Sequence, residues 1–408
     1  MLTQVLSLFA RPEVAAALVG AAFVLLLAVW RWRWRDYSLG RRMVKAEAPD
    51  VEAAAAAYDE RLPMVSVVVP AKNAGADLSE LIPLLLRQQY PNFEIIVVDK
   101  GSTDDTADVL QQFEHETTRL RHTFVPERSR RLSTEKLAIT IGLRAARSEF
   151  ILLTQPQARP CSDRWIYTMV CRGGGNVVLG YTSQGADGGS FAAYEQLRAW
   201  LTTFRAWRRR RLVGGETANM LIRSSAFFEK GGFEGHMALP YGEAAALSAN
   251  LGGDGESHVT VNTDAVVLQP RLRGEARRIQ RAARLETPRR VGGWARLLSL
   301  REAAASWAWL LFWLVWLLYV GLRVGIALTS NAYAPEWLAF DAPMLLLFFL
   351  ALILPAALLG RSTRTLGERG FGLKPAFYDL ALPFLRLRAR LGRRRARKTY
   401  SKPTAALK

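Results

Sequence analysis

Residues 14–30, VAAALVGAAFVLLLAVW, carry no charged side chain. A run this long and this apolar spans the hydrocarbon core of a bilayer as a single helix. It is followed at once by Arg31, Trp32, Arg33, Trp34 and Arg35. A cleaved leader has its basic residues before the apolar core and a small-residue cleavage site after it. Here the order is reversed, so the segment reads as an uncleaved anchor with a cationic, aromatic collar on its cytoplasmic side. Two further spans are expected at 303–328 and 342–359. Arg323 lies near the end of the first of these, where its long side chain can reach towards head groups. Pro355 is tolerable where neighbours satisfy the freed carbonyl. The link from Thr329 to Asp341 has no Lys or Arg, whereas Arg289, Arg290, Arg296 and Arg301 precede the second span and Arg361, Arg364 and Arg369 follow the third. The positive-inside rule then places the N-terminus outside and both the block 36–302 and the tail in the cytoplasm. The expected location is the inner (cytoplasmic) membrane, as a multi-pass protein.

The formal charge of +19 over 408 residues points to anionic partners: lipid head groups, phosphorylated substrates or nucleic acid. The stretch FYDLALPFLRLRARLGRRRARK in the tail (360–408) mixes Leu, Phe and Arg as an interfacial amphipathic helix does. Attachment to three spans favours anionic lipid over nucleic acid, which is not expected as a partner. Cys161 and Cys171 have no metal-ligand spacing and read as reduced, structural residues. The remaining divisions are an anchor at 1–35, an Ala-rich linker helix at 36–62 closed by Pro63, a folded block at 63–270 and a basic juxtamembrane segment at 271–302.

Within the block, MVSVVVP (64–70) and FEIIVVD (93–99) are β-branched runs suited to strands buried on both faces. DLSELIPLLLRQQ (77–89) has helical spacing. GSTDDTADVLQQFEHE opens a further helix, with Ser102 or Thr103 as cap and Asp104 and Asp105 in the first turn. KLAITIGLRAA and EFILLT add a helix and a strand. Strands alternating with helices predict an α/β fold, with a mostly parallel sheet flanked by helices. Ligands bind such sheets at the carboxyl ends of strands. Those ends are Pro70–Asn73, Asp99–Asp104 and Thr154–Arg159.

The ordered set VSVVVPAKNAG, LLLRQQYPNFEIIVVDKGSTDDT, EKLAITIGLRAARSEFILLT, NVVLGY, ANMLIRSSAFFEKGGF and PYGEAAAL resembles the nucleotide-binding half of membrane-bound family-2 glycosyltransferases over 63–270. The resemblance implies the GT-A fold and a nucleoside-diphosphate sugar donor, UDP- or GDP-linked, whose sugar passes to a glycan or lipid acceptor. It places Pro70, Lys72 and Asn73 against the nucleoside, Asp99 on the base and Asn219 on the acceptor side. Lys136 falls near the diphosphate, or else is a solvated helix-face lysine. Asp104 matches the later acid of its turn, and equally suits a helix N-terminus.

The departures from that family cluster on one reaction. Its metal site, for Mg²⁺ or Mn²⁺, uses two aspartates one residue apart after the fourth strand; here the positions are Gln155 and Gln157, flanking Pro156. Neutral amides hold a hard dication far more weakly than carboxylates, so no cofactor is assigned. The general base aligns with Ala244. Glu243, one residue away, is the remaining acid, or else a helix N-terminal residue. The Gln-any-any-Arg-Trp motif of polymerising members is met only by Gln280 and Arg284, one residue too far apart, with Leu285 in place of Trp. Lys100 and Arg159 stand where cations would replace a metal electrostatically. Two expectations follow: a metal-independent transferase, or a non-catalytic relative acting as a scaffold or regulatory partner with glycan-assembly proteins.

Overall fold

The computed structural model describes residues 11–37, 39, 62–126, 133–171, 174–185, 190–237, 241–253, 256–269, 281, 293–330, 337–368 and 370–400. The Ala-rich linker, and Gln280, Arg284 and Leu285, lie outside the described residues. The chain forms two compact units. One comprises 39–296 with 363–370; the other comprises 1–38, 297–362 and 371–408.

The first unit is α/β. Its central sheet has seven strands in the order β3-β2-β1-β4-β8-β6-β9: β1 (Val65–Ala71), β2 (Phe93–Asp99), β3 (Leu120–Phe124), β4 (Phe150–Leu153), β6 (Val177–Gly180), β8 (Met220–Arg223) and β9 (Ser257–Thr260). A small second sheet joins β5 (Arg159–Pro160), β7 (Thr182–Ser183) and β10 (Val267–Leu268). β1 pairs in parallel with β2 and β4, so Val65 sits opposite Phe93 and Phe150. Every residue of β1 is buried. This is why the run reads as continuous rather than alternating: both faces are covered by helices. Each fully buried Val contributes about 1.5–3 kcal/mol. One cover is the helix Gly75–Leu86, which buries Leu78, Leu81, Ile82 and Leu85. Another is Thr134–Ala145, which buries Ala138, Ile139, Gly142 and Leu143. Gly142 is required there, since a Cβ would stand 2.3 Å from Val68 Cγ1. β8 runs antiparallel to both β4 and β6. The carboxyl ends of β1, β2, β4 and β6 and the amino end of β8 therefore share one edge of the sheet.

Two local expectations change. The helix after β2 begins at Thr106, not at Ser102 or Thr103, and runs to Glu116. Ser102 is taken up by other partners, described below. The segment 363–370, read from sequence as tail, packs with the α/β unit.

The second unit holds three helices long and apolar enough to cross a membrane: Pro12–Tyr37, Gly293–Leu328 and Leu338–Arg364. All three begin before the apolar cores read from sequence, and the first and third also end after them. The collar Trp30–Trp34 adopts a π-helical turn. Arg33, 1% exposed, donates to Ser306 Oγ (2.5 Å) and pairs with Asp379 (3.2 Å). Tyr37 Oη donates to Asp379 (3.3 Å), and Arg301 pairs with Asp36. Arg386 approaches Glu302 at 3.8 Å. The tail helix Lys374–Tyr400 thus buries an acid against the collar, and Trp309 Nε1 donates to its Ala376 carbonyl (3.0 Å). At the other end of the hairpin Arg323 grips Asp341 through two nitrogens (2.9 and 2.7 Å), and Tyr319 Oη donates to the same acid (2.6 Å). Arg323 therefore has a built partner.

Candidate active site

The carboxyl edge is organised first by the loop after β1. Asn73 takes a left-handed conformation (φ 48°), one that Asn tolerates better than most residues. Its N–H donates to Ser102 Oγ (2.8 Å), and its Oδ1 accepts from Thr103 N–H (2.9 Å). Asp99, ending β2, accepts from Ser102 Oγ (2.5 Å) and Ser102 N–H (3.1 Å). Asp99, Ser102, Asn73 and Thr103 form one braced pair of loops, with Pro70 buried in β1 beneath them and Lys72 exposed beside them. The structure brings Pro70, Lys72, Asn73 and Asp99 together at neighbouring strand ends. Asp104 does something different. It accepts from Thr106 Oγ1 (2.5 Å), Thr106 N–H (3.2 Å) and Gly75 N–H (3.3 Å), and these bonds, led by the Thr106 hydroxyl, lower its pKa. It satisfies backbone donors at the start of two helices, which is the helix N-terminal role.

The cations are likewise engaged. Lys100 Nζ pairs with Glu135 (2.5 Å). Lys136 is fully buried, which overturns the solvated-lysine reading. Its Nζ donates to the Tyr241 carbonyl (2.9 Å) and lies 3.7 Å from Glu243 Oε1. Burial lowers the Lys136 pKa, opposed by the Glu243 charge. Burial, then the charge of Glu135, raises that of Glu243. The two residues, picked from separate motifs of the folded block, thus meet. Glu243 opens the helix Glu243–Leu251 after Gly242 (φ 86°), and Ala244 beside it is buried. Arg159 donates to Glu80 (2.7 and 3.1 Å), to the carbonyl of Pro156 (2.6 Å) and to that of Ala158 (3.0 Å). Its guanidinium is already spent on carboxylate and backbone acceptors, so in this arrangement it does not replace a metal's charge.

Gln155 and Gln157 sit after β4, one strand end along from the braced loops after β1 and β2. Gln155 Nε2 donates to Thr217 Oγ1 (3.0 Å), and its Oε1 accepts from Gln269 Nε2 (2.6 Å). Gln157 Nε2 donates to Asp77 (2.7 Å). An aspartate at either position would lose the donor. The oxygen of Gln155 that would face a dication is already hydrogen-bonded. Among the described residues no group of three His, Cys, Asp or Glu is arranged to hold a metal ion. This donor set does not fit Mg²⁺ or Mn²⁺.

Asn219 is not on an open acceptor face. It is fully buried, accepts from Trp165 Nε1 (3.0 Å), and donates to the carbonyls of Tyr181 (2.9 Å) and Ala265 (2.7 Å). Gly180 leaves room for it, since a Cβ there would fall 2.3 Å from its amide nitrogen. Asn219→Ala is expected to cost about 2–3 kcal/mol by orphaning these groups, read as a lower melting temperature. A change below 0.5 kcal/mol would show that the bridge is dispensable. Sequence reasoning missed Asp77, Glu135, Thr217 and Gln269. None stands in a recognisable spacing; only the fold carries them to the edge. Both cysteines are free thiols, Cys161 exposed and Cys171 buried.

With this geometry in view the comparisons decide the family. Residues 66–154 match Glycosyl transferase family 2. The chain is a family-2 glycosyltransferase homologue. The family-2 match spans β1 to the threonine just before Gln155, so it holds the braced loops and stops short of the amide pair. The putative teichuronic acid biosynthesis glycosyltransferase TuaG of Bacillus subtilis is 39% identical over 67 residues, 16% of this chain and 27% of that protein. Glycosyltransferase GlyG of Streptococcus pneumoniae is 28% identical over 134 residues, 32% of this chain and 43% of that protein. The matched stretch is thus less than half the length of either relative. The mannosyltransferase PcManGT from Pyrobaculum calidifontis, solved with GDP-Man and Mn²⁺, superposes with a TM-score of 0.55 at 20% identity, covering 82% of this chain and 98% of that one. That likeness establishes the GT-A fold.

Proposed function

We propose that this family-2 member binds a nucleoside-diphosphate sugar, UDP- or GDP-linked, at the β1–β2 edge and does not run metal-dependent transfer. Its role is then a membrane-anchored scaffold or regulatory partner in envelope polysaccharide or glycolipid assembly, with the α/β unit on the cytoplasmic face. The observation that carries the reading is the closed amide network at the metal-ligand positions: Gln155 between Thr217 and Gln269, and Gln157 on Asp77. The braced Asp99–Ser102–Asn73 loops supply the binding half. A carboxylate that accepts a base N–H makes a charge-assisted bond worth about 1.5–3 kcal/mol. Asp99→Asn is therefore expected to weaken nucleotide affinity at least about tenfold, measured by calorimetry with UDP- and GDP-sugars. Wild-type affinity should be the same in Mn²⁺ and in EDTA. Mn²⁺-stimulated transfer or hydrolysis by the wild-type chain would overturn the proposal.

A second reading is favoured by one observation. Glu243 is a carboxylate with a raised pKa, and its Oε1 is buried without a hydrogen-bond partner among the described residues. Those are properties of a general base, and they support a metal-independent transferase. Turnover of a sugar nucleotide in EDTA that Glu243→Gln abolishes would select it over the scaffold.

A further inference from the structure

The segment 363–370 delivers an acid to the same edge of the sheet. Glu368, 4% exposed, accepts on Oε1 from Tyr181 Oη (2.8 Å) and Ser183 Oγ (2.7 Å). Its other oxygen, Oε2, is buried and accepts no hydrogen bond among the described residues. Burial, followed by the Glu368 charge, pushes the Tyr181 phenol well above its usual pKa, so its hydroxyl stays a donor. A buried carboxylate with an unmet acceptor is costly and calls for a partner.

Two more acceptors nearby are in the same condition. Gln269 Oε1 and Gln184 Oε1 are buried with no donor among the described residues. Both amides are held by their nitrogen ends, Gln269 on Gln155 (2.6 Å) and Gln184 on Gln196 Oε1 (3.0 Å). All three belong to one hydrogen-bonded stretch, since Gln269 N–H donates to the Ser183 carbonyl (2.8 Å) and β10 pairs with β7. Tyr181 follows the carboxyl end of β6, on the edge that Gln155 also occupies.

We propose that Glu368 Oε2, Gln269 Oε1 and Gln184 Oε1 form an acceptor set that binds the hydroxyl groups of the donor's sugar moiety. Two of the three are neutral amides, which suit O–H donors better than a metal ion, whose ligands here would carry only one charge. The reading rests on the binding of a nucleoside-diphosphate sugar proposed above. It adds that the sugar is read from the chain segment following the third apolar helix, not from the family's metal loop.

Glu368→Gln tests it, because the amide keeps an oxygen for Tyr181 and Ser183 and changes the free acceptor. The detergent-solubilised full chain is titrated with UDP and GDP, and with UDP-glucose, UDP-N-acetylglucosamine and GDP-mannose. For the sugar nucleotide that the wild type prefers over its nucleoside diphosphate, Glu368→Gln is expected to lose that preference about tenfold or more, with UDP or GDP affinity unchanged. Leu366→Ala, in the same buried segment, controls for mere loosening. It should lower the melting temperature and leave the preference intact. Wild-type protein that binds no nucleoside diphosphate overturns the underlying reading and this inference with it. Wild-type binding with the preference undiminished in Glu368→Gln overturns the inference alone. So does a Mn²⁺-induced melting shift that Glu368→Gln abolishes, which would mark a cation site instead.

Discussion

A chain carrying Gln155→Asp together with Gln157→Asp is expected to gain a stabilising response to Mn²⁺. The reason lies in Asp77, which now accepts a hydrogen bond from Gln157 at 2.7 Å. A carboxylate there would face a carboxylate at that separation, and the amide donor to Asp77 would be gone, leaving Arg159, 3.7 Å from Asp77 and already shared with Glu80, to offset the added charge. Like charges so close raise each other's pKa and strain the loop unless a cation intervenes. Without metal the double variant should therefore melt below wild type. With Mn²⁺ at about a hundred times its dissociation constant, linkage gives about 2.7 kcal/mol of stabilisation, several degrees for a unit of this size. The wild-type chain should shift by less than about 1 °C. Equal shifts in the two proteins would show that the amides never excluded the metal.

The second large effect is expected at Lys136. Lys136→Ala leaves Glu243, with its raised pKa, facing a buried gap, and strips the Tyr241 carbonyl of its donor. Removing one partner of a buried charge pair costs about 3–5 kcal/mol. Removing both charges with apolar residues of similar volume, Lys136→Met with Glu243→Leu, should recover most of that loss. The comparison is made by thermal or denaturant unfolding. If the double variant were as unstable as the sum of the singles, the two side chains would not be coupled, and the 3.7 Å approach would carry no weight.

The α/β order, the strand runs and the three apolar helices were legible because each rests on local periodicity. β1 and β2 are fully or nearly fully buried, and nothing else explains seven consecutive residues of that kind. The positions of Gln155 and Gln157 were legible for the same reason, since a strand end is a local feature. Side-chain commitments were not. Asp99 and Asp104 look alike in sequence, yet one braces Ser102 in the loop after β2 and the other satisfies helix backbone donors. Asn219 was assigned to a ligand, but its three hydrogen bonds go to residues 165, 181 and 265, whose convergence only the sheet order creates. Arg159 was a free cation on paper because Glu80, which neutralises it, lies on a different element. Glu368 was invisible as a site residue, since its segment read as the start of a basic tail.

The pairing of Arg33 with Asp379 has a consequence for biogenesis. In a bilayer Arg33 would enter with the helix Pro12–Tyr37, and its acid partner Asp379 is synthesised only after the two later apolar helices. Until then a cation that ends almost wholly buried has no carboxylate from the tail, and an unpaired charge at that depth is costly. Insertion of the helix Pro12–Tyr37 and formation of its ion pair are therefore separate events, divided by the synthesis of everything between Arg33 and Asp379. Arg33 cannot reach its final setting until the segment that carries Asp379 has been made.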